Sequence, residues 1–281
     1  MKILITGSKG QLGIELIDIA PQEHKIFGYD LDMDITDRFA IESKFSKVKP
    51  DLVIHCAAFT DVDGCEGFRD KAFLVNGTGT ENLAKVARKH DCEFVYISTD
   101  YVFNGNKDTP YVEEDIPDPV SIYGKSKLAG EEAVTNILEK FYILRTTGIY
   151  SRYGKNFVET IIRASKNCRE LEIVNDQICT PTYSLDVAEC IYKLIETGMY
   201  GIYHATNDGQ CSWYQFTKEI FKILGKRVTV IPVKSGRLGG RASRPSYSVL
   251  ANLKLEKNKI YFMRHWKKAL KDFLESCRVN S

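Results

Sequence analysis

The chain has 281 residues, enough for one large or two modest domains whose core needs no disulfide or metal staple. Hydrophobic residues make up 43% and charged residues 27%, which excludes a mainly disordered or collagen-like chain. Lys and Arg number 39 against 37 Asp and Glu, a net charge of +2, so nothing calls for a nucleic-acid or acidic-membrane partner.

The apolar run at 2–6 leads straight into a glycine turn and predicts a buried strand rather than a signal-peptide core. Further strands are predicted at 25–30, 51–56, 93–98 and 141–145. Each is nearly continuous in apolar character, as in strands covered on both faces. Helices are expected between them at 11–20, 37–47, 69–90 and 121–139. This alternation predicts an α/β fold with a Rossmann-type doubly wound parallel sheet. Beyond residue 150 the rhythm changes. Helices are expected at 156–166, 185–196, 213–224 and 264–277, short strands at 171–174 and 201–205, and a Gly-, Ser- and Arg-rich loop at 234–245. No window approaches the length of a membrane span. The eight cysteines, at 56, 65, 92, 168, 179, 190, 211 and 277, form no CxxC pair. They read as free thiols in a reducing, cytoplasmic setting.

Gly7, Gly10 and Gly13, spaced GxxGxxG, lie between the first strand and the first helix. Glycines there permit a tight turn and let a pyrophosphate approach the backbone at a helix N-terminus. Asp30 ends the second strand, seventeen residues after Gly13, where an acid can accept from a ribose 2′-hydroxyl and repel a 2′-phosphate. Locally this favours NAD, although Asp32 and Asp34 follow closely and which acid faces the ribose is open. The expected organisation is a dinucleotide-binding domain over 1–150 and a mainly substrate-binding domain over 151–281. The segment at about 184–206 is expected to pack back on the first domain.

Tyr123 and Lys127 form YxxxK and share one face if their segment is helical. An ammonium beside a phenol favours phenolate, which is expected to lower the tyrosine pKa. Such a tyrosine can give a proton to a carbonyl oxygen as hydride reaches the carbon. Thr99, at the end of the fourth strand, can hold that carbonyl, because open α/β sheets place ligands at carboxyl strand ends.

With these motifs the chain resembles the extended short-chain dehydrogenase/reductase family, and within it the dTDP-4-dehydrorhamnose reductases. The likeness runs from Met1 to about Asn252 and rests on GSKGQLG at 7–13, DIT at 34–36, CAAFTDVD at 56–63 and VNGTGTENLA at 75–84. It continues through STDYVFNG at 98–105, YGKSK at 123–127, NFV at 156–158, DQICTPT at 176–182 and RPSYSVL at 244–250. STDYVF, DQxxTPT and RPxYSxL are the narrower signals.

The resemblance implies reduction of the C4 ketone of a nucleotide-activated 6-deoxy-hexose, with NADPH or NADH. It makes Thr99, Tyr123 and Lys127 the catalytic set: Tyr123 the acid, Lys127 the ribose-binding residue, Thr99 the carbonyl ligand. Gly7, Gly10, Gln11, Leu12 and Gly13 would hold the pyrophosphate. Asp34 and Ile35 would border the adenine, and Ala57, Ala58 and Thr60 the middle of the cofactor. Asp100, Val102, Phe103, Asn156 and Arg244 would meet the substrate.

Dehydratases of the same superfamily usually carry Asp-Glu after the threonine. Here Thr99 precedes Asp100 and Tyr101, so reduction is the better reading. Gly148 stands where these reductases commonly have a tryptophan beside the sugar, so the sugar or its orientation can differ, unless Tyr150 or Tyr153 fills the space. Trp213 reads as a helix-anchoring core aromatic rather than a base-stacking one. Glu15 matches a position through which some relatives dimerise around a divalent cation. It reads instead as a solvated helix face, and no metal is expected; a homodimer is left open. A reductase or epimerase for another sugar nucleotide, and a non-catalytic dinucleotide-binding regulatory subunit, are the alternatives.

Overall fold

Five near-continuous apolar runs form the centre of the computed structural model, which describes residues 1–279. They are β1 (Lys2–Thr6), β2 (Lys25–Tyr29), β3 (Leu52–His55), β4 (Glu93–Thr99) and β5 (Phe141–Thr146). A sixth strand, Gly201–His204, pairs with β5 at the edge. The sheet is parallel throughout, in the order 201–204, β5, β4, β3, β1, β2. Chain order reverses at β1, so the crevice at the carboxyl ends of β1 and β3 is the topological switch point where such sheets take ligands.

Helices cover both faces. The connecting helices are α1 (Gln11–Asp18), α2 (Arg38–Val48), α3 (Val62–Gly67), α4 (Arg69–Phe73), α5 (Thr80–Lys89) and α6 (Ile122–Ile137). Leu12 and Leu16 of α1 share a core with Val187, Ile191 and Leu194 of the later helix Ser184–Ile195. On the other face Ile41 and Phe45 of α2, Leu83 and Val86 of α5 and Val134 of α6 pack together. A third core gathers Tyr150, Val158, Phe216, Trp266 and Phe273.

Most bounds fall within a residue or two of the expected ones. The helix expected at 69–90 is instead α4, a π-helical turn at Leu74–Gly79, and α5. The turn carries buried Asn76, whose amide bonds the backbone of Phe59 at both N–H and C=O and also Ser126. A strand at Thr229–Val233 pairs in parallel with Glu170–Val174. Pro232 hides it from a propensity reading, and a two-stranded ribbon, all edge, tolerates that proline. The loop expected at 234–245 contains a short helix, Ser235–Leu238. No helix among the described residues is long and apolar enough to cross a membrane.

Candidate active site

The glycine turn is built by steric exclusion. Gly7 has φ +63°, and a Cβ on it would lie 2.7 Å from the Ala57 nitrogen. One on Gly13 would lie 2.3 Å from the Gly7 carbonyl oxygen. Only hydrogen at these positions lets α1 start against the turn and the turn sit against the chain leaving β3. Gly10 caps α1 without a side-chain hydrogen bond, leaving first-turn N–H groups to an anion.

This turn forms one end of a cleft of about 1070 Å³. Its wall includes Gly7, Gly10, Gln11, Leu12, Gly13, Asp30, Asp34, Ile35, Ala57, Ala58 and Thr60, and further along Thr99, Asp100, Tyr123, Lys127 and Asn156. The residues fit a dinucleotide: a cradle that a Cβ would fill, free helix-end donors, and acids at the β2 end. Asp30 accepts from the Lys9 and Leu31 backbone N–H groups at 3.0 and 2.9 Å. Asp34 turns its carboxylate onto Thr36, and Asp32 pairs with Lys44. Lys9 and Lys155 also line the cleft; neither belongs to a motif that singled it out.

At the other end, Ser121 caps α6 by accepting from the Gly124 N–H at 3.1 Å, and Glu66 takes the Ile122 N–H at 2.8 Å. The helix then lies so close to the turn leaving β4, at Asp100–Val102, that a Cβ on Gly124 would come within 2.1 Å of the Tyr101 carbonyl oxygen. Tyr123 shares the cleft wall with Thr99, whose hydroxyl acts on the phenol. The Thr99 hydroxyl donates to Asp100 at 3.0 Å and accepts from the Tyr101 N–H at 3.2 Å. Lys127 donates to the Ile97 carbonyl at 2.7 Å, with its ammonium 4.1 Å above the Tyr96 ring.

The electrostatics correct the expectation that Lys127 lowers the tyrosine pKa. Burial pushes Tyr123 up, Asp100 adds to the rise, and only the Thr99 hydroxyl opposes it. The phenol therefore stays protonated at neutral pH. Burial pulls Lys127 down to about 7, partly offset by the charge of Glu131. Asp100 is pushed up to about 6 by burial, opposed by bonds from Ser248, Thr147 and Thr99.

Several expected contacts are not brought to the cleft. Val102 and Phe103 are fully buried in a small core with Tyr111 and Leu250, where Phe103 stacks on Tyr111. Arg244 is bound by Asp63 at 2.7 Å and lies outside the cleft wall, although Pro245 and Ser248 of its motif are in it. Asn156 does line the cleft, but its amide is spent on capping: it accepts from the Glu159 N–H and donates to the Ser151 carbonyl. Glu15 is no solvated helix face. It is fully buried and bonded by Arg152, Ser151 and Ser184.

Neither Tyr150 nor Tyr153 fills the space at Gly148. Tyr150 stacks on Tyr183 in the core, and Tyr153 bonds Asp18. Trp213 fills it: its indole lies 3.2 Å from where a Gly148 Cβ would be, and both residues line the cleft. Gly148 has φ +54°, so the backbone there suits glycine. Trp213 does pack on Phe157 and Phe216 of the third core, as expected of a helix-anchoring aromatic, and the fold also brings its indole edge opposite Gly148. Gln177, Ile178 and Cys179, from the DQICTPT motif, complete this wall.

The family model described as the RmlD substrate binding domain matches residues 1–279. The chain belongs to the RmlD family. The chain is 41% identical to the spore coat polysaccharide biosynthesis protein SpsK of Bacillus subtilis strain 168, over 98% of this chain and 97% of that protein. It is similar to the crystal structure of a dTDP-4-dehydrorhamnose reductase from Clostridium acetobutylicum, with TM-score 0.96 and 42% identity, covering 99% of this chain and 100% of that one. The crystal structure of the Bacillus anthracis strain Ames dTDP-4-dehydrorhamnose reductase, in complex with NADP, matches with TM-score 0.96 and 40% identity over 98% of this chain and 99% of that one.

Proposed function

We propose that this RmlD-family chain reduces the C4 ketone of dTDP-4-dehydro-L-rhamnose to give dTDP-L-rhamnose, using NADPH and accepting NADH. The observation that carries the reading is the meeting of Tyr123, Lys127 and Thr99 in the same cleft as the glycine turn.

In this reading Gly7, Gly10, Gln11, Leu12 and Gly13 hold the pyrophosphate, Asp30, Asp34 and Ile35 border the adenosine, and Ala57, Ala58 and Thr60 line the middle. Asp30 and Asp34 both line the cleft at this end, whereas Asp32 pairs with Lys44 outside its wall. When bound, the dihydronicotinamide supplies the hydride. Lys127 holds the nicotinamide ribose. Thr99 and Asp100 fix the ketone, and Tyr123, kept neutral by burial, delivers the proton to the C4 oxygen. The dinucleotide unit is residues 1–150 with 184–206 packed onto it, and the rest of 151–281 covers the substrate side.

Trp213 supplies the flat wall beside the sugar nucleotide. Trp213 and Trp266 are the two tryptophans, and Trp266 is buried in the third core, so ligand-dependent fluorescence reports Trp213. Titration with dTDP is expected to quench emission, and Trp213→Phe to abolish the quench. Trp213→Ala is expected to raise KM for the sugar nucleotide about tenfold, the loss of roughly 1.4 kcal/mol of stacking and area, with kcat within about threefold. An unchanged KM in Trp213→Ala would remove the residue from the binding site.

The reading as a whole is tested by NADPH oxidation with dTDP-4-dehydro-L-rhamnose, expected at one equivalent per sugar. Cofactor binding without consumption by this or any 4-keto sugar nucleotide would instead support a regulatory subunit.

A further inference from the structure

One buried ion pair beside the site has no part in that chemistry. Glu131 follows Tyr123 and Lys127 at the same four-residue spacing along α6, so the three stand on one helix face. Arg145 on β5 reaches it with two nitrogens, Nη2 to Oε2 at 2.6 Å and Nε to Oε1 at 2.9 Å. Ser98 donates to Oε1 at 2.5 Å. Both charged side chains are almost wholly buried, at 2% and 4% exposure. Three consecutive residues of β4 thus face three turns of α6: the Ile97 carbonyl accepts from Lys127, Ser98 donates to Glu131, and Thr99 adjoins Tyr123 in the cleft wall. Arg145 and Ser98 are cross-strand partners, so the pair also ties β5 to this register.

The groups around Lys127 give Glu131 a second consequence. From β3 and its exit come His55 and Cys56, from β4 Tyr96, and from its own helix Tyr123 and Glu131. Burial keeps His55 neutral, pulled down to about 3, and Cys56 a thiol, pushed up to about 12; Tyr96 and Tyr123 are likewise held protonated. Glu131 is then the one anion of this set, and its charge acts on Lys127 in the direction that keeps the ammonium.

We propose that Glu131, fixed by Arg145 and Ser98, is a positioning residue for the reduction: it sets the register of α6 on β4 and places a fixed negative charge one helical turn beyond the Lys127 ammonium. This rests on the roles given above to Tyr123 and Lys127.

The test is the alkaline limb of kcat for the whole enzyme with its sugar nucleotide and NADPH. Glu131→Gln removes the anion and leaves Arg145 as an added cation. Its limb is expected about one pH unit lower, so that above the limb kcat is about tenfold below wild type while below the limb the two agree within about threefold. A buried unpaired arginine can unfold the protein, so the double variant Glu131→Gln/Arg145→Met is run beside it, since neutral replacement of a buried pair is often well tolerated. Its limb is expected between the other two. A structural brace alone would lower melting temperature or kcat evenly across pH, and limbs coinciding with wild type in the folded variants overturn the proposal. Tyr123→Phe is assayed in the same series. If that variant keeps full activity, the assignment of Tyr123 and Lys127 has failed, separately from the role of Glu131.

Discussion

Tyr123→Phe is expected to lower kcat by about 10²- to 10⁴-fold while leaving NADPH affinity within about threefold. The change deletes one oxygen from a half-buried ring that lines the cleft beside Thr99. Burial holds the phenol protonated, so the group is loaded as an acid across the neutral range. The ring itself still packs edge-on to Tyr101 at 5.7 Å, so the fold is expected to survive the substitution. Steady-state kinetics with a parallel NADPH titration checks this. A variant that turns over at the wild-type rate would take the tyrosine out of proton transfer.

Gly124→Ala is expected to be nearly as damaging, by geometry rather than chemistry. In an open helix alanine is the better residue by roughly 0.5–1 kcal/mol. Here its methyl would come within 2.1 Å of the Tyr101 carbonyl oxygen and 3.0 Å of Pro119. The obstacle is backbone, so the first turn of α6 must move, and it carries Tyr123. A displacement near 1 Å at the reacting atoms costs on the order of 10²-fold in rate. The expected result is a kcat lower by about 10- to 100-fold, with melting temperature reduced. Kinetics and thermal unfolding on one preparation separate the two effects. A fully active Gly124→Ala would mean that α6 does not need its close seat on the turn that follows β4.

These two residues also show what the sequence carried. Continuous apolar strands and periodic helices made the sheet legible, because burial on two faces leaves a simple pattern. YxxxK and the glycine turn were legible because helix spacing and the need for φ > 0 or close approach restrict residue type locally. Contacts between distant segments were not. Trp213 sits opposite Gly148 only after the C-terminal part folds over the sheet. Glu15 looked exposed because its partners, Arg152 and Ser184, lie far along the chain. Val102 and Phe103 belong to a narrow motif, yet their side chains serve a small core behind the strand end. Arg244 has the right charge for a phosphate but is taken by Asp63. The direction of the Tyr123 shift was missed for a related reason: a nearby ammonium can be inferred from spacing, whereas the depth of burial that outweighs it cannot.

The most direct measurement follows one atom. The protein is incubated with dTDP-4-dehydro-L-rhamnose and NADPH carrying deuterium at the transferable C4 position of the nicotinamide, and the sugar product is read by NMR. Net reduction at the ketone predicts a single deuterium on C4 of dTDP-L-rhamnose and an equal amount of NADP⁺. A product without deuterium, or cofactor recovered unoxidised beside a rearranged or untouched sugar, would contradict it.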